Sequence, residues 1–177
     1  VEASGGEALY SVDGTYSKKP DVAVVVFGED PYAEFQGDRD TLEFEAGNKK
    51  AIKLLEKLKA ENIPVVSVFL SGRPMWVNPE LNASDAFVAA WLPGSEGVGV
   101  ADVLVANKDG SARNDFKGTL PFSWPKLPLQ DILNPHHDNY DPLFAFGYGL
   151  TYASANVGIG DLAVDVEGVD KGNEDML

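Results

Sequence analysis

An acidic loop with the sequence GEDPYAEFQGD, residues 28–38, carries the side chains of this chain best suited to chemistry. Its carboxylates are Glu29, Asp30, Glu34 and Asp38. Glycoside hydrolysis needs carboxylates flanking the scissile bond, one of which protonates the leaving oxygen. An acid packed against Tyr32 or Phe35 would be desolvated, which raises the pKa of a carboxyl group as general acid catalysis requires. Solvated acidic loops are common too, so the composition of the loop leaves both interpretations open.

A second candidate site is the segment SGRPMWVNP, residues 71–79. Arg73 is suited to clamp a carboxylate or to donate hydrogen bonds to hydroxyl groups. Trp76 is suited to stack on a sugar ring. The alternative is structural, with Arg73 paired to a buried acid and Trp76 packed in the core, and we favour it because aromatic residues more often build cores.

Two further segments give weaker signals. The segment WLPGSEGVG, residues 91–99, places glycines before a predicted helix, but neither a G-x-G-x-x-G nor a G-x-x-x-x-G-K-[ST] motif is present. A stand-alone nucleotide-binding protein is therefore a weak hypothesis. His136 and His137 are suited to act as bases, but no nucleophile accompanies them in sequence. An adjacent pair without further ligands makes a metal site improbable, and we expect none.

Composition narrows the function classes. The 177 residues suit one domain with a real core, and a net charge of −14 argues against binding nucleic acid or anionic membranes. The negative charge of the chain does not repel a neutral partner such as a sugar. The absence of cysteine excludes disulfides, thiolate metal sites and a Cys nucleophile. No apolar run is long enough to cross a bilayer, and the first residues do not read as a signal peptide.

The elements that must position these residues alternate between strand and helix. The residues 21–27 form a short apolar run typical of a strand buried on both faces. Ala51, Leu54, Leu55 and Leu58 recur with helical spacing. The predicted elements are strand 21–27, helix 45–62, strand 63–72, loop 73–80, strand 84–94, helix 95–107 and edge strand 118–125. This order predicts an α/β fold, a mostly parallel sheet with helices on both faces, incomplete at its N-terminus.

Domain organisation follows from composition. Residues 1–20 read as an N-terminal loop, residues 21–152 as the α/β domain, with its last part a surface-wrapping tail, and residues 153–177 as an acidic, glycine-rich linker towards a further module.

Five segments in order closely resemble the C-terminal α/β-sandwich domain of glycoside hydrolase family 3, in its exo-β-glucanase and β-glucosidase branch. They are GEDPYAEFQGD, SGRPMWVNPEL, SDAFVAAWLPGSEGVGVADVL, GTLPFSWP and YDPLFAFGYGLTY, and the resemblance covers about residues 21–152. The segment NKDGSARNDFKG departs from the shorter connection usual in that family, which affects a surface loop alone.

The resemblance implies a retaining enzyme that removes glucose from β-linked gluco-oligosaccharides or β-glucosides without a cofactor. It implies a partner domain, an N-terminal (β/α)8 barrel that carries the Asp nucleophile, and it places the general acid/base at Glu34 in the pattern G-E-x-P-Y-x-E-x-x-G-D. Tyr32 and Trp76 become candidate substrate-binding residues, and Glu29, Asp30 and Asp38 remain loop structure or electrostatic background. The resemblance also implies a secreted or periplasmic enzyme, and a chain that is inactive alone.

One alternative from a different class stays open. The same residues are compatible with a non-catalytic carbohydrate-binding or interdomain support module, in which the acidic loop shapes a pocket. The two interpretations differ in what Glu34→Gln does to turnover.

Overall fold

Three short strands form a parallel sheet in the computed structural model of the chain, which describes residues 1–154 and 157–169. The strands are β1, Ala23–Gly28; β2, Val65–Leu70; and β3, Ala86–Trp91, and they lie side by side in chain order. Strand β1 pairs with β2 along its whole length, from Ala23 opposite Val65 to Gly28 opposite Leu70. The predicted α/β class and the parallel sheet are confirmed.

Within the described residues, three α-helices connect or follow the strands. Helix α1 spans Lys50–Ala60, α2 spans Asn78–Asn82 and α3 spans Gly97–Leu104, and short 3₁₀ helices occupy Glu2–Ser4 and Tyr152–Ser154. The buried face of α1 consists of Ala51, Leu55 and Leu58, as the apolar spacing predicts. The predicted helix was longer at its start. Residues 45–49 instead form a turn, because Glu45 and Lys49 adopt left-handed backbone angles that a helix does not allow.

The core consists of an aromatic cluster and an aliphatic one. Phe44 and Phe69 meet edge to face with ring centroids 5.1 Å apart, and Phe69 also contacts Trp124. The aliphatic cluster joins Leu55 and Leu58 of α1 to Val65 at the start of β2. Together the clusters seat α1 and the segment around residue 76 on one face of the sheet, and this packing holds the ends of β1 and β2 in place.

The predicted edge strand at residues 118–125 is wrong. The sheet of the described chain has three strands, and this segment pairs instead with residues 143–148. Trp124 donates its backbone N–H to the carbonyl of Phe144 at 2.8 Å and accepts one from Leu143. Pro121 and Pro125 lack the N–H groups that a continuous strand ladder needs, so the pairing reduces to an isolated bridge.

Two local predictions also need correction. Val24 and Val26 of β1 are more than half exposed, because no described element covers that side of the strand, so the prediction of a strand buried on both faces is wrong for this chain. The predicted loop 73–80 contains the start of α2, in which Pro79 occupies a first-turn position where its missing N–H costs nothing.

The described part of the predicted C-terminal linker lies against the domain. The side chain of Asn82 accepts a hydrogen bond from the backbone N–H of Leu162 and donates one to its carbonyl, both at 2.9 Å. Asn78 donates to the carbonyl of Ala163 at 2.9 Å. The role of residues 153–177 as a linker to a further module stays a prediction, and residues 155, 156 and 170–177 lie outside the described residues.

Candidate active site

The acidic loop begins where β1 ends, beside the end of β2. Gly28 lies so close to β2 that a Cβ atom there would be 2.0 Å from the carbonyl oxygen of Leu70. The next residue, Glu29, donates its backbone N–H to that same carbonyl at 3.0 Å. Because the strands are parallel, the residues that follow Leu70 emerge at the same edge of the sheet as the acidic loop.

Glu29 is a buried anchor. Its side chain is 7% exposed and accepts hydrogen bonds from Arg73, with Nη2 2.8 Å and Nε 3.0 Å from Oε1. The hydroxyl of Ser71 donates to Oε2 at 2.6 Å, and Arg39 Nη1 lies 3.8 Å from Oε1. A buried carboxylate with this many donors is committed to structure and has no free face for catalysis. The structural interpretation that we favoured for Arg73 is therefore confirmed.

Arg73 joins the two ends of the loop. Besides holding Glu29 at the start, its Nη1 donates to the carbonyl of Gly37 at 2.6 Å. Its guanidinium also lies over the ring of Tyr32, 4.6 Å from the ring centroid. Gly37 leaves room for that ring, since a Cβ there would lie 2.3 Å from a ring carbon of Tyr32. One side chain thus fixes the loop through an ion pair, a backbone contact and a cation–π contact.

Glu34 lies on the tight turn between these fixed ends, and it is exposed. The backbone N–H of Gln36 donates to the carbonyl of Ala33 at 3.1 Å, and that of Asp38 to the carbonyl of Phe35 at 3.4 Å. In the described part of the chain, no hydrogen bond or ion pair engages the Glu34 carboxylate. The adjacent Phe35 is also exposed, so the described part of the chain does not bury this acid.

A cleft of about 690 Å³ opens beside the loop. Its lining includes Asp30, Tyr32, Gln36, Arg39 and Lys50. Tyr32 is 44% exposed, its ring lies against the Arg73 guanidinium, and it borders the cleft. This placement keeps Tyr32 available as a substrate contact, and Asp30 and Asp38 lie exposed on the same loop.

Trp76 does not lie in this cleft. Its side chain is 1% exposed, and its residue forms a parallel bridge with Glu43 inside the domain. A ring that is enclosed on every side offers no face to a sugar, so the predicted substrate contact of Trp76 is wrong, and the alternative of a core role is correct. The reason is tertiary, because the backbone of Trp76 pairs with residues 42–44, donating to the carbonyl of Leu42 at 2.8 Å and accepting from Phe44 at 3.1 Å.

A buried group of charges lies under the loop. Glu43 and Glu80 are almost fully buried, and Lys49 forms an ion pair with Glu43. Burial, with smaller contributions from the Glu45 and Glu43 carboxylates, raises the pKa of Glu80 to about 7, although a backbone hydrogen bond and the charge of Lys49 act to lower it. Arg39, which also approaches Glu29, donates to the backbone carbonyl of Glu43 at 2.9 Å. This group therefore supports the far end of the acidic loop.

Metal and membrane features are absent from the part of the chain that the structure describes. No group of His, Asp and Glu side chains in residues 1–154 and 157–169 has the arrangement of a metal site. His136 and His137 pack against one another with ring centroids 4.5 Å apart. Within the same residues, no helix combines the length and apolar character needed to cross a bilayer.

Sequence reasoning missed Ser71 and Arg39 as members of this site. Ser71 opens the candidate segment SGRPMWVNP, in which we considered only Arg73 and Trp76, and Arg39 directly follows the acidic loop. A usable signal existed for Ser71, since it directly follows β2 and parallel neighbours end at a shared edge. No comparable signal existed for Arg39, whose contacts depend on the path of the loop after Gly37.

Comparison with known proteins gives a consistent picture. The family model of the glycosyl hydrolase family 3 C-terminal domain matches residues 7–152. A lysosomal beta glucosidase of Dictyostelium discoideum is 36% identical over 148 residues, which cover 79% of this chain and 17% of that protein. A periplasmic beta-glucosidase of Salmonella typhimurium is 30% identical over 158 residues, which cover 80% of this chain and 20% of that protein.

A solved structure agrees with these relatives. The crystal structure of an exo-1,3/1,4-beta-glucanase from a Pseudoalteromonas species superposes with a TM-score of 0.85 and 62% sequence identity. The match covers 88% of this chain and 20% of that one. The chain thus spans about a fifth of the length of the proteins that it resembles.

Proposed function

Because this chain belongs to glycosyl hydrolase family 3, whose C-terminal domain it carries over residues 7–152, we propose that it supplies the general acid/base of a larger β-glucosidase or exo-β-glucanase. The acid/base is Glu34. The enzyme is a retaining one, and its nucleophile is an Asp on an N-terminal barrel domain. The names of the relatives, a lysosomal and a periplasmic beta-glucosidase and an exo-1,3/1,4-beta-glucanase, support this class of substrate.

One observation carries the proposal. Glu34 is exposed and without a partner among the described residues, on a turn whose two ends Arg73 fixes through Glu29 and Gly37. A general acid must be free to meet its substrate, yet it must be held where a second domain can find it. The neighbouring Glu29 cannot act as this acid, because its carboxylate is buried and already accepts hydrogen bonds from Arg73 and Ser71.

The chemistry has two steps. In the first, Glu34 in its acid form donates a proton to the glycosidic oxygen while the Asp of the barrel domain attacks the anomeric carbon, which releases the leaving alcohol and forms a glycosyl ester. In the second, the Glu34 carboxylate removes a proton from water as that water attacks the same carbon, which releases glucose and restores both carboxyl groups. Two displacements retain the configuration. The reaction needs no cofactor.

Docking of the barrel domain would also shield the acidic loop from water. Glu34 is solvated in this chain, and covering the turn would remove water from it and from the substrate. Tyr32, which borders the adjacent cleft, is the side chain of this domain that we place against the substrate. We propose a secreted or periplasmic location, which the name of the Salmonella relative supports.

The test is Glu34→Gln in the full enzyme. We expect hydrolysis of a natural disaccharide to fall about 10²- to 10⁴-fold, because its poor leaving group needs protonation. An aryl β-glucoside with a good leaving group should be attacked nearly as fast as before and then stall at the glycosyl ester. Azide should rescue that second step and yield β-glucosyl azide.

Asp38→Asn is the matched control, since Asp38 is an exposed carboxylate on the same loop. It should leave both substrates and the azide response unchanged. Normal turnover of both substrates by Glu34→Gln would refute the catalytic assignment and leave the binding-module interpretation in its place.

A further inference from the structure

The buried group of charges under the acidic loop contains more acid than base. Glu43 is 0% exposed and Glu80 is 2% exposed, and Glu45 lies close enough to act on Glu80 as well. Among the described residues, Lys49 is the one cation that acts on Glu80. If all three carboxyl groups were ionised, three negative charges would face one positive charge in a largely buried site. The fold therefore favours the protonated form of one of them.

The contacts of the three carboxyl groups show which of them holds the proton. Glu43 forms the ion pair with Lys49, and Glu45 accepts a hydrogen bond from the backbone N–H of Ala51 at 2.7 Å, in the first turn of α1. Both contacts favour an ionised carboxylate. Within residues 1–154 and 157–169, no ion pair engages Glu80. The proton therefore belongs to Glu80.

Helix α1, which packs against α2, does not bring a cation to Glu80. The buried residues of α1 are apolar, and its Lys59 reaches α2 at the last residue, where it donates to the carbonyl of Asn82 at 2.7 Å. The hydroxyl of Ser84 donates to the backbone carbonyl of Glu80 at 2.6 Å and carries no charge. The charged groups that decide the protonation of Glu80 thus all lie in the segment 43–49.

The segment 43–49 has a strained backbone. Glu45 and Lys49 have φ angles of 47° and 57°, in the left-handed region that residues other than glycine disfavour. Such a conformation persists only while the surrounding contacts hold it. A negative charge on Glu80 would repel the carboxylates of Glu43 and Glu45, so it would act directly on this segment.

Arg39 connects this segment to the acidic loop. It directly follows the loop, and its Nη2 donates to the backbone carbonyl of Glu43 at 2.9 Å. Its Nη1 lies 3.8 Å from Oε1 of Glu29, the buried anchor at the start of the loop. A displacement of the Glu43 backbone would therefore remove a contact that holds the end of the loop.

We propose that Glu80 is a positioning residue for the acidic loop: its protonated form keeps the segment 43–49 in place, and loss of the proton loosens the loop through Glu43 and Arg39. This inference goes beyond the proposed function and does not rest on it, since it concerns how the loop is held and not which reaction it serves. Under the proposed function, alkaline pH would then displace the turn that carries Glu34.

Limited digestion of the full enzyme with trypsin tests this coupling, because trypsin can cut after Arg39 only when the segment opens and Arg39 leaves the carbonyl of Glu43. Digests at about pH 6 and about pH 8.5 are analysed by mass spectrometry. Cleavage after Arg39 is divided by cleavage after Lys18, whose side chain is 79% exposed, which corrects for the pH dependence of trypsin itself. We expect this ratio to rise by up to about 10-fold between the two pH values, the limit reached when opening returns the pKa of Glu80 from about 7 to 4.5.

Two variants interrupt the coupling at different points. Glu80→Gln has the same size and no proton to lose, so its ratio should be the same at both pH values. Arg39→Lys keeps a trypsin site but cannot reach both Glu43 and Glu29, so its ratio should be high already at the lower pH and change little. Glu56→Gln, an exposed change on α1, is the matched control and should show the native rise.

Cleavage after Lys57, in the middle of α1, reports unfolding of the domain as a whole. A rise at Arg39 that is matched at Lys57 would mean that pH acts on global stability, and it would overturn the proposal. A native rise in Glu80→Gln, or an unchanged ratio in the native enzyme, would overturn it as well. The two variants are read separately, so one poorly folding protein does not decide the result. The digest measures no turnover, so its failure and a failure of the Glu34→Gln assay are distinguishable.

Discussion

At the scale of single residues, two glutamates of one loop have opposite surroundings. Glu29 is enclosed and receives hydrogen bonds from Arg73 and Ser71, whereas Glu34 is exposed. The difference follows from distance to the sheet, because Glu29 directly follows β1 and its side chain meets the residues that follow β2. Arg73 is the residue on which the geometry of both depends.

Arg73→Lys should therefore damage the loop although it preserves charge. A lysine has a single ammonium group and cannot hold Glu29 through two nitrogens while also reaching the carbonyl of Gly37. We expect a loss of about 1–3 kcal/mol in the free energy of unfolding. In the full enzyme we expect kcat/KM to fall about 10- to 100-fold as Glu34 becomes mispositioned.

Chemical denaturation and steady-state kinetics measure these two effects, and Arg113→Lys is the matched control. Arg113 pairs with Asp102 at 2.9 Å on the surface, where such pairs contribute little. If Arg73→Lys behaved like Arg113→Lys in both measurements, Arg73 would not be the residue that holds the loop.

At the scale of elements, the packing of α1 and α2 buries acidic side chains. The positive charge beside them is too small to balance their negative charge. Glu80 of α2 faces Glu43, Glu45 and Lys49, and its burial raises its pKa to about 7. The folded protein therefore holds this proton more tightly than the unfolded chain does. Stability from this group is complete below the ordinary pKa of 4.5, falls as the pH rises from there, and is gone above about 7.

Glu80→Gln should remove this pH dependence, because glutamine has the same size and no proton to lose. With 1.36 kcal/mol per pKa unit, the native chain should lose up to about 3 kcal/mol of unfolding free energy between pH 4.5 and pH 8 through Glu80 alone. Urea unfolding of the chain at several pH values gives the slope. Glu56→Gln, an exposed change on α1, is the control and should keep the native slope. An identical slope for Glu80→Gln and the native chain would show that Glu80 does not hold this proton.

At the scale of the whole molecule, the chain is strongly acidic, and the residues of its proposed function lie on one side of the domain. The net charge of −14 opposes nucleic acid and anionic lipid but not a neutral sugar. Arg73 contacts the acidic loop and also borders the cleft of Tyr32, so one edge of the domain carries both the proposed acid/base and the cleft beside it. Under the proposed function, this chain contributes one half of an active site.

The chain alone should therefore hydrolyse no β-glucoside. In the proposed mechanism the nucleophile belongs to the barrel domain, and without it Glu34 alone cannot bring about formation of the glycosyl ester. The measurement is release of the aryl group from an activated β-glucoside by the purified chain, compared with the Glu34→Gln chain at the same concentration. Release by the native chain above that of the variant would mean that the chain contains a complete active site.

Local sequence is enough to predict the main elements and the acidic loop. The spacing of Ala51, Leu55 and Leu58 predicts helix α1, because a buried helical face requires that period, and the apolar runs predict three parallel strands. The ordered motifs indicate the family, which the family model confirms. These features depend on local periodicity and on short patterns, and both can be read from neighbouring residues.

Tertiary packing, in contrast, settles which side chains are free. It placed Trp76 in the core, enclosed Glu29 with Arg73 and left Glu34 exposed. It also paired residues 118–125 with residues 143–148 instead of with the sheet. Burial depends on contacts between residues far apart in the chain, such as the 44 positions between Glu29 and Arg73, and no local pattern in the sequence records them.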